Sequence, residues 1–143
     1  MYQMWVEIFL FFFLAVCAVF DGLQKQIPLA TVWLGMLTAV CLRVGGVMGE
    51  VSLPSVALSL VPGAAFFLLG FVTKEKVGYG DGWVLLMIGL FLDLPRCFCI
   101  LLTGLLMESL AALILLVFRK VRRDKEIPFC PFLLLGMGVL LCF

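Results

Sequence analysis

The chain has 143 residues, of which 65% are hydrophobic and only 13% are charged. This small number of polar side chains cannot cover the surface of a water-soluble protein of this length. The composition therefore predicts an integral membrane protein. The formal net charge is +1 and histidine is absent, which argues against a nucleic-acid-binding protein. We expect residues 1–143 to form one compact membrane domain.

Six apolar runs divide the chain, and each is predicted to be an α-helix because backbone polar groups in lipid must be satisfied within their own segment. The runs are residues 4–20, 27–47, 54–72, 82–94, 97–118 and 127–143. They predict an all-α, multi-pass membrane protein with six transmembrane helices. The fourth run provides only about 20 Å of helix, which is too short to cross a hydrocarbon core of about 30 Å alone.

The positions of Lys and Arg predict the orientation in the membrane, because cytoplasmic loops are enriched in these residues. The loops after the first, third and fifth runs carry eight of them, whereas the other side of the membrane has only Arg43, near the end of the second run, and Arg96. Both chain ends are therefore expected outside, and Asp21 and Asp81 on the cytoplasmic side.

Six cysteines lie in or beside the apolar runs, without the closely spaced Cys and His residues of a structural zinc site. Free cysteine is commonly a small buried residue, and we interpret these six in that way. Neither a metal site nor a cofactor is predicted. The cysteines stand at positions 17, 41, 97, 99, 130 and 142.

Two carboxylates beside apolar runs, Asp21 and Asp81, are the candidate functional residues, because a charge near hydrocarbon is costly and usually has a function. Two carboxyl groups a few ångströms apart share one proton. The ionised member can then take a proton from water while the protonated member donates to a carbonyl, which hydrolyses a peptide bond. An equally good interpretation is structural, with Asp81 as a helix N-cap and Asp21 as a turn residue before Gly22.

Glycines surround the second aspartate in the sequence Gly78-Tyr79-Gly80-Asp81-Gly82. Glycine adopts positive φ and allows close backbone approach, so this loop is expected to direct Asp81 into a cavity. We also expect residues 73–82 to act as a gate over that cavity.

Three motifs follow one another along the chain: Asp21 followed by Ile27-Pro28, then Gly78-Tyr79-Gly80-Asp81, then Ile127-Pro128-Phe129-Cys130-Pro131-Phe132. In this order they resemble the motifs of the prepilin peptidases, membrane aspartyl proteases of the Gly-x-Gly-Asp type, and the resemblance extends over nearly the whole chain. It implies an aspartic endopeptidase that removes the basic leader of a prepilin or pseudopilin at the cytoplasmic face of a prokaryotic plasma membrane, with Asp21 and Asp81 catalytic. Members that also methylate carry an additional amino-terminal region with cysteine pairs, so this chain resembles the short form and no methyl transfer is expected.

The sequence departs from the family pattern at two positions near the pair. Leu29 stands where the family commonly has Asn, and Trp83 stands where it often has Lys. Glu108 lies in the middle of the fifth run. Thr38 lies at similar depth in the second run and is a potential hydrogen-bond partner of Glu108. Possible substrate or structural contacts are Lys25, Pro28, Glu75, Lys76 and Glu108.

Two other functions are compatible with the same residues. In a small transporter, the aspartates would relay protons or hold a cation, as intramembrane carboxylates often do. In an inactive relative, the protein would bind a prepilin without cleaving it, and Leu29 and Trp83 favour this alternative.

Overall fold

The computed structural model describes residues 2–24, 26–50, 52–74, 79–118 and 127–143. The described residues contain seven helices and no strand, which confirms the all-α class. The helices are α1 (Tyr2–Gln24), α2 (Leu29–Val44), α3 (Leu53–Ser59), α4 (Val61–Val72), α5 (Tyr79–Phe91), α6 (Leu94–Val117) and α7 (Cys130–Cys142).

Three helical segments are long and apolar enough to cross a membrane: α1, the continuous stretch of α3 and α4, and α6. Three shorter apolar helices, α2, α5 and α7, accompany them. The third apolar run forms two consecutive helices instead of one, because Pro62 in the first turn of α4 has no amide hydrogen to continue the hydrogen bonding of α3. The pattern is that of a multi-pass membrane protein.

The short helix α5 lies at the centre of the bundle, packed against α1, α2, α3, α4 and α6. Its 13 residues confirm the predicted short fourth helix. Most of its side chains are buried, so protein rather than lipid surrounds it. The buried residues of α5 are Gly82, Val84, Leu85, Met87, Ile88, Gly89 and Phe91.

Glycines allow neighbouring helices to approach α5 closely. A Cβ atom added at Gly63 of α4 would lie 2.8 Å from the backbone nitrogen of Leu86, and one at Gly35 of α2 would overlap the side chain of Met87. Such distances leave no room for a larger side chain. Both glycines therefore permit close helix packing in this bundle.

A polar cluster lies at the opposite end of the bundle from Asp21. Arg96 at the start of α6 forms an ion pair with Glu7 of α1, and Arg43 at the end of α2 donates from Nε to the carbonyl of Leu90 at 2.6 Å. Glu7 precedes Asp21 by 14 residues, or about 21 Å of helix. The two ends of the bundle therefore carry separate polar groups, with an apolar layer between them.

Candidate active site

Asp21 lies in the last turns of α1 and is only 7% exposed. Helix α1 continues to Gln24, so the expectation that Asp21 and Gly22 form a turn after the helix is wrong. The backbone amide of Cys130, the first residue of α7, donates to Oδ2 of Asp21 at 3.1 Å. The amino terminus of α7 thus faces this carboxylate, and both the hydrogen bond and the helix dipole stabilise its ionised form.

Asp81 lies in the first turn of α5 and is partly buried. A carboxylate oxygen of Asp81 and one of Asp21 lie within 4.8 Å of each other, although 60 positions separate the two residues in the chain. The fold therefore brings the two predicted catalytic residues together. A water molecule between two such carboxylates would be within hydrogen-bond reach of both.

The thiol of Cys130 is a third member of this cluster. Its Sγ atom also lies within 4.8 Å of the two carboxylate oxygens, and the residue is fully buried. Asp21, Asp81 and Cys130 together form a donor set that is able to hold a metal ion. Sequence reasoning treated Cys130 only as a small apolar residue, although its place in the motif from Ile127 to Phe132 could have connected it with the site.

The glycines beside Asp81 act through packing instead of through positive φ. Helix α5 begins at Tyr79, and among the described residues only Gly46 and Gly49 are glycines with positive φ. A Cβ atom added at Gly80 would lie 2.7 Å from Cδ1 of Ile27, so Gly80 lets the start of α5 contact the segment before α2. The end of the predicted gate over residues 73–82 is therefore helical.

Trp83 belongs to an aromatic cluster on another side of α5. Its ring lies 5.2 Å from that of Trp33 on α2 and 5.1 Å from that of Phe67 on α4, measured between centroids. Two residues correspond to about 200° around a helix, so Trp83 and Asp81 leave α5 in nearly opposite directions. The cluster holds α2, α4 and α5 together without entering the space between the carboxylates.

Phe129 fixes the start of α7 next to Asp21. Its ring is 5% exposed and stacks on Phe66 of α4, with centroids 5.7 Å apart. Because Phe129 directly precedes Cys130, this stack helps to fix the amide that donates to Asp21. Helix α7 begins at Cys130, two residues after Pro128, and Pro131 lies in its first turn.

The remaining predicted contacts lie apart from the pair or outside the described residues. The carbonyl of Pro28 accepts from the amide of Thr31 at 3.0 Å and caps α2, which is a structural role. Thr38 donates from Oγ1 to the carbonyl of Leu34 instead of to Glu108, which is partly buried on α6. Lys25, Glu75, Lys76 and Gly78 lie outside the described residues.

Comparison with known proteins identifies the family to which the chain is similar. The model of the type IV leader peptidase family matches residues 8–118, a segment that contains both Asp21 and Asp81. Neither a curated protein nor a solved structure matches the chain. The family match implies protease activity in general, which agrees with a site built from two neighbouring carboxylates.

Replacing Gly80 with valine is expected to lower peptidase activity by about 10–100-fold, because the new side chain overlaps Ile27 and shifts Asp81 relative to Asp21. The measurement is the initial rate of substrate cleavage by purified protein. Gly22→Val is the matched control, since Gly22 adjoins Asp21 but no atom of the described residues lies within 4 Å of a Cβ added there. Equal losses in the two variants would contradict the packing role of Gly80.

Proposed function

Because the chain belongs to the type IV leader peptidase family, we propose that it is an aspartic endopeptidase that removes the basic leader of prepilin-like membrane proteins. The observation that carries the proposal is the approach of the Asp21 and Asp81 carboxylates to within 4.8 Å. Two carboxylates at this separation can share one proton and one water molecule. The reaction then needs neither a metal ion nor a covalent intermediate.

The surroundings of the two carboxylates differ, and this difference supports distinct roles for them in the proposed reaction. Asp21 accepts the amide hydrogen of Cys130, which favours its ionised form, so Asp21 is the general base. Asp81 accepts no hydrogen bond from the described residues and therefore holds the shared proton as the general acid. The assignment describes the starting state of a coupled pair, in which the proton is shared.

Hydrolysis proceeds in two steps through a tetrahedral intermediate. Asp21 takes a proton from the water, the water oxygen attacks the scissile carbonyl carbon, and Asp81 donates its proton to the carbonyl oxygen. In the second step Asp81 takes back the hydroxyl proton as the carbonyl re-forms. Asp21 gives its proton to the leaving nitrogen, the carbon–nitrogen bond breaks, and the pair returns to its starting state.

The proposed location of the reaction is the cytoplasmic face of a prokaryotic plasma membrane. With six membrane segments and both termini outside, the end of α1 and the start of α5 would lie on that face. The excess of Lys and Arg in the loops after the first, third and fifth apolar runs supports this orientation. A substrate with one apolar helix would lie beside the bundle, with its leader junction entering between Asp21 and Asp81.

The variants Asp21→Asn and Asp81→Asn are each expected to lower leader removal by about 10²–10⁴-fold, because each removes one proton-transfer group. The measurement is cleavage of a co-expressed prepilin-like protein, followed by a shift in its electrophoretic mobility. Asp93→Asn is the control, since this carboxylate precedes α6 at the other end of the bundle. Wild-type cleavage by either active-site variant would refute the mechanism.

The rate of cleavage at saturating substrate is expected to be bell-shaped in pH. At low pH both carboxyl groups are protonated and the base is lost, whereas at high pH both are ionised and the acid is lost. The check is kcat across a pH series at constant ionic strength, with thermal unfolding recorded at each pH. A rate that rises continuously with pH, while the protein stays folded, would contradict a shared proton.

The orientation is tested with reporter fusions. Alkaline phosphatase fused after Phe143 should be active and a fluorescent protein fused there should be dark, because the carboxyl terminus is proposed to lie outside the cytoplasm. The same reporters inserted in residues 119–125 should give the opposite result. Cytoplasmic fluorescence of the terminal fusion would refute the proposed orientation.

A further inference from the structure

The buried thiol of Cys130 has no role in the proposed reaction. It is 0% exposed and lies within 4.8 Å of oxygens from both Asp21 and Asp81. The hydrogen bonds of the described residues include the backbone amide of Cys130 but not its sulfur atom. An unpartnered polar group is thus enclosed in the bundle and directed at two carboxylates.

We propose that Asp21, Asp81 and Cys130 form a binding site for a single Zn²⁺ ion, and that the ion inhibits the enzyme. The inhibition rests on the proposed function, because the ion would occupy the carboxylate oxygens that activate water. The site itself depends only on the donor atoms. Three helices, α1, α5 and α7, each supply one ligand, so the ion would also link the helices that carry the pair.

The donor set favours zinc over calcium and magnesium. Zinc binds both Cys thiolates and Asp carboxylates and is commonly four-coordinate, with water in an open position where the protein supplies three ligands. Calcium and magnesium require six or more oxygen ligands, which this cluster does not provide. The thiolate distinguishes the site from an ordinary pair of acidic residues.

The spacing of the three donor atoms is close to the spacing of ligands around a bound zinc ion. Zinc–sulfur and zinc–oxygen bonds of about 2.3 and 2.0–2.2 Å place tetrahedral ligands about 3.3–3.7 Å apart. The donor atoms of the cluster lie within 4.8 Å of one another, so each pair has to approach by at most about 1–1.5 Å to bind one ion. Rotation of the side chains is sufficient for this movement. Cys130 binds as thiolate, so its proton is released to water when the ion enters.

The surroundings of the cluster carry the charge that a cation needs. The ion pair of the described chain, between Arg96 and Glu7, lies at the other end of the bundle. The ionised carboxylate of Asp21 and the thiolate formed on binding neutralise the charge of the metal, and the shared proton of Asp81 is displaced as its oxygen becomes a ligand. Zinc binding and water activation by the pair of aspartates are therefore mutually exclusive.

Cobalt(II) is a suitable probe because it adopts the same geometry and absorbs in the near ultraviolet when a thiolate binds it. The full chain, purified in detergent and titrated with Co²⁺, should develop this charge-transfer band with a stoichiometry of one, and Zn²⁺ should remove it. A protein that shows no thiolate band at saturating cobalt overturns the proposal. This measurement uses the wild type and needs no altered residue.

Cysteine variants locate the thiolate. Cys130→Ser should abolish the band and weaken Zn²⁺ binding by at least about 10–100-fold, measured by competition with a chelating dye. Cys99→Ser, which alters an exposed cysteine of α6, should keep both the band and the affinity. A band that survives in folded Cys130→Ser protein, with folding checked by circular dichroism, overturns the assignment.

Activity separates this inference from the function on which it rests. Zn²⁺ should inhibit leader cleavage by the wild-type protein over the same range of concentration in which it displaces cobalt in the separate titration. A chelator should restore the rate. Cleavage that continues with the site occupied overturns the inhibitory role. A cobalt band in a protein that cleaves no prepilin-like substrate supports the metal site and counts against the peptidase proposal.

Discussion

The buried carboxylate of Asp21 is the constraint on which the rest of the site depends. A carboxylate that is 7% exposed inside an apolar bundle needs a hydrogen-bond donor, and the first helix supplies none from its own backbone. The amide of Cys130 provides it, from a position 109 residues later. The first and last helices are thereby joined at one end, and the Phe66–Phe129 stack connects the same point to α4.

The short length of α5 is what allows Asp81 to lie beside Asp21. A helix that spans the bilayer would carry its first turn to the surface, whereas 13 residues can begin and end inside the bundle. Its exposed backbone ends are acceptable there because five neighbouring helices replace lipid around it. Gly35 and Gly63 let two of those neighbours approach closely enough to complete this shell.

The sequence alone predicted the helical class, the short fourth helix and the two aspartates as a possible pair. These depend on composition, on run length and on motifs, all of which are local. It did not predict that α1 continues through Gly22 or that α5 begins at Tyr79, because glycine disfavours helices until packing compensates. The position of Cys130 depends on contacts between distant segments, which no local pattern contains.

The two departures from the family pattern have different consequences once the helices are placed. Trp83 lies on the side of α5 turned away from Asp21 and packs with Trp33 and Phe67, so a cation at that position would not lie between the carboxylates. Positive potential at Asp21 comes from backbone instead, because this carboxylate faces the amino terminus of α7. Helix ends do not lose their partial charge when a side chain is replaced, so Trp83 leaves this contribution to the proposed mechanism in place. The inactive-relative alternative thus loses one of the two residues that favoured it.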